Sequence, residues 1–455
     1  MPEPASRWRV VEKVLFAFGC MAIAFFCGMI VARTRVFPYP EINAAQEAVK
    51  DWTENWRHYL GVRSRFALPS ERTEGGTVVN EPDLAFPGYT LVSAYRPSSH
   101  QGFNSYLLGM DGKVVHEWTA DVERIWPNLG DEPAFVWDGS LDIHGAHLFD
   151  NGDIVVDVGA LGTVRLDRCS NVQWAVRRPT HHHVEALPDG GFLTPSTIHR
   201  TKRLPEQVYA DVGPSGYFMD DTILRLDADG KPVEERSVID MLLQSGWASA
   251  LIAGPGAAKV FSNDDPMHVN DVERLPAEIA PAFPMFAAGD LLVSVRHLNT
   301  IFVADPSTWQ VKWLMTGPFV GQHDPDFLPN GKILLYDNRL SGEKPKLGNS
   351  RLLEIDPQTK SVVWTFEGEG ETAFYAHSRG EQQMLPNGNI LYVDPYRGRV
   401  LEIAPKAGNR LVWEWVNLIA PHQVGLVTDV ERFPLDRLPW VGSPCPDQVA
   451  TSSPG

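Results

Sequence analysis

Three histidines of this 455-residue chain lie in polar clusters at related places: His182 in "HHHVE", His268 in "MHVND" and His323 in "QHDPD". Each cluster leads into an apolar residue and a turn. His323 stands five residues before Leu328, His182 five before Leu187 and His144 five before Phe149. Asn270 stands five before Leu275, with His268 seven before it, and His377 stands eight before Leu385. A shared register puts side chains at one level of a repeated structure, so these groups are expected to converge on one pocket. A neutral imidazole supplies a nucleophilic nitrogen or a general acid–base group, and several together also suit a transition metal. Arg296, after the run "LLVSV", adds a planar cation whose donors match oxyanions such as sulfate or phosphate. His182, His268, His323 and Arg296 are the catalytic candidates. His116, His199, His377 and His422 read as structural; so does His144 taken alone, but its register keeps it with Asn270 and His183 as a candidate substrate-binding residue. Asp324 is given no role, because neighbours on a strand face opposite ways.

The elements that must carry these residues repeat. One pattern is a strand, a turn and a strand ending in Trp or its equivalent, as in "LLGMDGKVVHEW" from Leu107 and "FVADPSTWQVKW" from Phe302. It recurs from Val164, Leu224, Leu353 and Leu401, six copies in all. The other is a turn with an apolar strand after it: "LFDNGDIVVDV", "LPDGGFLTPS", "LPNGKILLYD" and "LPNGNILYVD", with a degenerate copy from Leu275. Asn-Gly and Asp-Gly supply the positive φ of tight hairpins, and β-branched runs suit a pleated surface. Six small antiparallel sheets at this spacing predict an all-β, six-bladed β-propeller. "GYTLVSAY" at 88–95 is expected to complete a blade with C-terminal strands, and "VTDVERFP", which echoes "VNDVERLP", to supply the last piece.

Ahead of the repeats, Val14 to Ala32 carries no charge and spans roughly 28 Å as a helix, close to a bilayer's hydrocarbon thickness of roughly 30 Å. An uncleaved signal anchor is expected, with membrane attachment through this helix and the remainder extracytoplasmic. Residues 41–60 read as a short amphipathic helix. The division is 1–36 anchor, 37–88 helical and irregular lead-in, 89–440 catalytic propeller and 441–455 flexible tail. Insertions at 200–217 and 262–286 are expected to rim the channel. Net charge of -17 with no basic run argues against nucleic acid. Cys20 and Cys27 fall in the apolar segment, and whether Cys169 and Cys445 pair is open.

From Tyr89 to Leu418 the chain resembles the bacterial arylsulfate sulfotransferase family, six-bladed periplasmic propellers that use no nucleotide sulfate donor. The resemblance runs through "HHHVEALPDGGFL", "MHVNDVERLP", "LLVSVRHLNTIFVAD" and "QHDPDFLPNGKILLYDN". It implies that His323 attacks sulfur and is transiently sulfated, that Asn270, His268 and Arg296 hold the sulfuryl oxygens, and that His182 assists proton transfer. The implied partners are a small-molecule aryl sulfate donor and a phenolic acceptor, with no cofactor and no metal. The family often has Asp or another polar residue where His183 and Val184 stand, and Ser where Asp271 stands. Two other functions fit the histidines: a metal-dependent enzyme, which Arg296 beside the cluster disfavours, and a non-catalytic binding propeller.

Overall fold

The computed structural model describes residues 4–34, scattered positions between 37 and 53, and then 64–97, 102–128, 142–200, 218–253, 265–340 and 345–445. The amphipathic helix expected at 41–60 lies for the most part outside the described residues, as do nearly all of the 200–217 insertion and the tail beyond Cys445. An N-terminal helix, Pro4–Thr34, contains an apolar stretch, Val11–Arg33, long enough to cross a membrane.

The rest is all-β. Sheet I joins Val427–Pro434 to Gly88–Tyr95, Phe103–Leu108 and Val114–Trp118. Sheet II is Ile143–Leu148, Ile154–Val158, Gly162–Leu166 and Val172–Val176; sheet III is Glu185–Ala186, Phe192–Arg200, Phe218–Leu226 and Pro232–Ser237. Sheet IV is Val269–Arg274, Leu291–Val295, Thr300–Ala304 and Val311–Thr316; sheet V is His323–Phe327, Ile333–Asp337, Arg351–Asp356 and Ser361–Phe366. Sheet VI is Gln382–Met384, Ile390–Asp394, Arg399–Ala404 and Arg410–Val416, and Gly76–Asn80 from the lead-in adds a fifth strand. All pairings are antiparallel, and Gly88–Tyr95 pairs with Val427–Pro434, so sheet I is built from both ends of the repeat region.

Six apolar clusters each lie between two consecutive sheets: I with II, II with III, and so on to VI with I. The second strand of each sheet is buried on both faces. In sheet IV, Leu291, Val293 and Val295 join the cluster against sheet III while Leu292 joins the one against sheet V. That explains why "LLVSV" and "ILLYD" are continuous apolar runs rather than alternating ones. The Trp of the repeat also has a mechanical reason. Trp118, Trp174, Trp313 and Trp413, each in a fourth strand, donate their indole N–H to a turn carbonyl of the following sheet, at Gly152, Ala228, Pro357 and Met110. Sheet VI thereby bonds to sheet I. A disulfide joins Cys169, in a sheet II turn, to Cys445, which settles the pairing that the sequence left open. Helices at Val238–Gln244 and Ala248–Ala253 and a small sheet of Ala67–Pro69, Gln423–Gly425 and Leu418–Ala420 had no counterpart in the repeat pattern.

Candidate active site

The first strands of the sheets surround a common channel, and their register decides what faces it. His144, His182, Asn270 and His323 occupy the shared position five residues before the turn; Gly380 in sheet VI and Thr428 in sheet I occupy the same position. All six line one narrow cavity of ≈ 10 Å³, room for about one water. The register thus brings His144, His182, Asn270 and His323 together with Gly380 and Thr428, which the sequence reading had not included, while His268 and His377 do not line the cavity.

In sheets I, II, IV and V the pairing shifts at this level, between Val427 and Asp429, Ile143 and Gly145, Val269 and Asp271, and His323 and Asp326. A bulge disrupts the strict alternation of faces. His323 and Asp324 therefore line the same cavity, as do Asn270 and Asp271, and the opposite-face argument made for Asp324 is corrected by its left-handed φ of 50°. His182 (φ 70°) and His268 (φ 52°) adopt the same uncommon backbone region. In sheet II the corresponding neighbour is Gly145, where any Cβ would collide with the His182 carbonyl oxygen.

His323 is buried, and its tautomer is fixed by its surroundings. The Asn338 amide nitrogen donates to the carbonyls of Ala376 (3.0 Å) and Arg379 (2.6 Å), so its oxygen faces His323 Nδ1 at 2.7 Å. Nδ1 consequently carries the proton and Nε2 the lone pair, which accepts the Arg379 backbone N–H at 3.2 Å. Burial, followed by the Arg296 charge, holds the pKa of His323 well below the ordinary imidazole value despite the opposing bond from Asn338. The ring is neutral at physiological pH.

Around it the other imidazoles pack closely. The centroid of His182 lies 6.4 Å from that of His323, 4.9 Å from His268 and 4.2 Å from His144. His268 Nδ1 contacts Asp265 Oδ2 at 2.5 Å. Burial first, with His144 next for His182 and Arg296 next for His268, pushes both far below the usual value. His144 falls to about 3, chiefly by burial, against the pull of Asp142. His183 Nδ1 lies 3.1 Å from Asp271 Oδ1, and burial lowers His183 to about 4. Asn270 donates to the Gln322 carbonyl at 2.7 Å, leaving its oxygen buried with no partner among the described residues.

Arg296 and His268 do not themselves line the cavity and stand behind it. Arg296 opens a short 3-10 turn after its strand, donates to His297 Nε2 (2.9 Å) and the His377 carbonyl (3.2 Å), and is lowered to about 10 by burial. His377 stacks on Tyr396 at 4.1 Å and His116 bonds the Arg168 carbonyl at 2.6 Å.

Sequence reasoning missed four participants. Asn338 was findable: His323 pairs with Tyr336 across the hairpin, which puts the "DN" end of the motif beside the ring. Arg379 shares its left-handed turn with Gly380; its guanidinium pairs with Asp142 and contacts the Tyr396 hydroxyl at 3.3 Å. His181 and Asp221 form a relay behind His182. His181 Nδ1 lies 2.9 Å from His182 Nδ1, and its Nε2 lies 3.1 Å from Thr197 Oγ1 and 3.6 Å from Asp221 Oδ1. Thr197 donates to that same Asp221 oxygen, so His181 Nε2 carries a proton. Burial lowers His181, but the Asp221 carboxylate outweighs it and the pKa is raised overall. No local motif in the sequence links residue 181 to 221.

Asp265, His268 and His297 place ligand atoms within 4.8 Å of one another, the only such group among the described residues. Three of the four ring nitrogens are engaged, His268 Nδ1 with Asp265, and His297 with the Asp265 carbonyl (2.7 Å) and with Arg296. A guanidinium donating into the cluster disfavours a dication there.

No curated protein matches the chain. Among solved structures, a protein of unknown function from Bacteroides caccae aligns over 76% of this chain and 99% of its own at 12% identity and TM-score 0.47. Kuenenia stuttgartiensis hydrazine synthase aligns over 59% and 64% at 12% identity and TM-score 0.36. The Dos1 propeller aligns over 77% and 79% at 10% identity and TM-score 0.37. Similarity at these levels carries no functional argument. The profile described as Arylsulfotransferase (ASST) matches residues 145–417, more than half of the sequence and nearly all of the channel described above. With His182, His268, Asn270, Arg296 and His323 all inside that match, this chain belongs to the arylsulfotransferase family.

Proposed function

We propose that the protein transfers a sulfuryl group from an aryl sulfate ester to an acceptor phenol through a sulfohistidine on His323. Family membership supports arylsulfotransferase activity with aryl sulfate and phenol as substrates. The observation that carries the finer reading is the neutral His323, with Nδ1–H held by Asn338 and the Nε2 lone pair at the cavity. Nε2 bonds to sulfur as the S–O bond to the aryl group breaks. The Arg379 N–H then turns from Nε2 to a sulfuryl oxygen, while the charge of Arg296, standing behind the cavity, stabilises the transferring group through its field.

The leaving phenolate, with a pKa near about 10, takes a proton from His182 Nε2. The two Nδ1 atoms of His181 and His182 share one proton, so protonated His181 makes His182 an acid at Nε2, and neutral His181 makes it a base. After the first transfer the pair is left ready to accept the proton of the incoming phenol, whose oxygen takes the sulfuryl group and frees His323. His144 and His183 bound the substrate space.

Six sheets with six shared clusters, and the indole bond from sheet VI to sheet I, support a closed six-bladed propeller over 89–440. The apolar helix supports an inner-membrane anchor within 1–36, followed by the 37–88 lead-in. The Cys169–Cys445 disulfide supports an oxidising, periplasmic setting for the propeller. The test uses full-length protein in detergent, a chromogenic aryl sulfate and varied acceptor phenol. Parallel double-reciprocal lines are expected; intersecting lines would contradict the covalent intermediate.

A further inference from the structure

His323 is held at both ring nitrogens with the help of one short segment, residues 376–379, ahead of the first strand of sheet VI. Asn338 fixes the Nδ1 side and is itself fixed by the carbonyls of Ala376 and Arg379, while the Arg379 N–H meets Nε2. Arg379 does this from the left-handed region, at φ 64°. A glycine adopts that backbone freely, whereas a residue with a Cβ is disfavoured there. An arginine at such a place calls for a reason in its side chain.

That side chain reaches past sheet I to sheet II. Its guanidinium pairs with Asp142, directly ahead of Ile143–Leu148, and the two side chains are only 18% and 15% exposed, so either charge left alone there would be costly. Sheets VI and II are not neighbours; each shares an apolar cluster with sheet I instead. Arg379 Nη1 also donates to the Tyr396 hydroxyl at 3.3 Å, and that hydroxyl lies 2.5 Å from Ser378 Oγ. Residues 378 and 379 share the peptide that carries the N–H, and both are thereby anchored. Burial alone would raise the Asp142 carboxyl, but the Arg379 guanidinium, foremost among the neighbouring charges, outweighs it and holds the carboxyl at about 2. With its charge met by an ionised Asp142, the guanidinium is not an open anion site; what Arg379 offers the nucleophile is its backbone.

We propose that Asp142 is a positioning residue for sulfuryl transfer: through the Arg379 guanidinium it aims the Arg379 N–H at His323 Nε2, where the transferring group arrives. The role rests on the reading of His323 as the nucleophile. It acts on the transition state rather than on substrate binding, because the N–H meets a sulfuryl oxygen only once Nε2 has turned to sulfur.

The test compares full-length protein in detergent with Asp142→Asn, with Arg379→Met, which keeps the backbone N–H and removes the guanidinium, and with the two combined. Each single change leaves one charge unpaired and should lower Tm; the double variant removes both charges and should recover it. Because both changes break the same link, kcat should fall about tenfold in all three, with KM for the aryl sulfate within about twofold of wild type. The nitrogen NMR resonance of His323 Nε2 in the resting protein should shift in each, marking the lost bond from Arg379. If either single variant fails to fold, the double variant decides the question alone. A kcat that recovers together with Tm in the double variant would reduce the pair to a structural tie and overturn the proposal, as would an unmoved Nε2 resonance. A lower KM in Asp142→Asn would overturn it in favour of direct sulfate binding by the freed guanidinium. The resonance is read without turnover, so a shift with no sulfate found on His323 would contradict the sulfohistidine and leave the link from Asp142 to His323 standing. Sulfated His323 with an unmoved resonance would contradict the positioning alone.

Discussion

Two levels of one channel, built by the same six strands, hold opposite chemistry. At the first, His144, His182 and His323 lie among Asn270, Gly380 and Thr428; three residues further on, Glu185, Glu273, Asp326 and Glu431 face a wider chamber. Burial acts on both and moves them in opposite directions. It pushes the imidazoles down and the carboxyls up, because in each case it disfavours the charged form. The scaffold thus determines position and solvation, whereas side-chain type determines whether the outcome is a nucleophile ready at neutral pH or a set of acids that hold their protons.

The sharpest way to break this contrast is His323→Ala, which should lower kcat by more than about 10³-fold and leave the Tm nearly unchanged. Unaltered turnover would remove the nucleophile from the histidine level. Next in size is Asn338→Ala. Releasing the Nδ1 proton from its fixed acceptor should cost about 10²-fold in kcat, with NMR of the ring nitrogens showing mixed tautomers where the wild type shows one. His181→Asn should cost less, about tenfold to 10²-fold, and should remove the alkaline limb of the kcat–pH profile, since that limb reports loss of the His181 proton.

The smallest effect concerns the carboxylate level. Burial pushes the Asp326 carboxyl up to about 7 and that of Glu185 up to about 8. The folded chain therefore binds more protons than the unfolded one between about pH 4 and those values. The stabilisation is complete below the unfolded pKa and is lost as pH rises through 7 to 8. Tm should fall by a few degrees between about pH 4 and pH 8. The histidine level behaves oppositely: kcat/KM should stay level well below the ordinary imidazole range, because His323 remains neutral there. A Tm that rises through neutrality would show that the carboxyls are paired after all.

Much of the first level was legible in the sequence because it rests on turns. Asn-Gly or Asp-Gly marks every one of these hairpins except the degenerate copy after Leu275, and counting back from the apolar residue before each turn places His144, His182, Asn270 and His323 together. The bulge was not legible, since one extra residue in a strand leaves no local mark, and so Asp324 was assigned to the wrong face. The His181–Asp221 relay was hidden for another reason. It crosses from the segment ahead of Glu185–Ala186 to the next two strands of the same sheet, where the pairing of Thr197 with Asp221 decides the contact. Arg379 reaches His323 through its backbone, a contact that side-chain identity does not encode.

The central claim is a covalent bond at one nitrogen of the first level. Full-length protein would be incubated with an aryl sulfate carrying radiosulfur, without acceptor, quenched in alkali and digested for peptide mapping. The account predicts acid-labile label on the peptide containing His323, chased off by a phenol and absent from His323→Ala. Label on any other residue, or none during measurable phenol release, would contradict it.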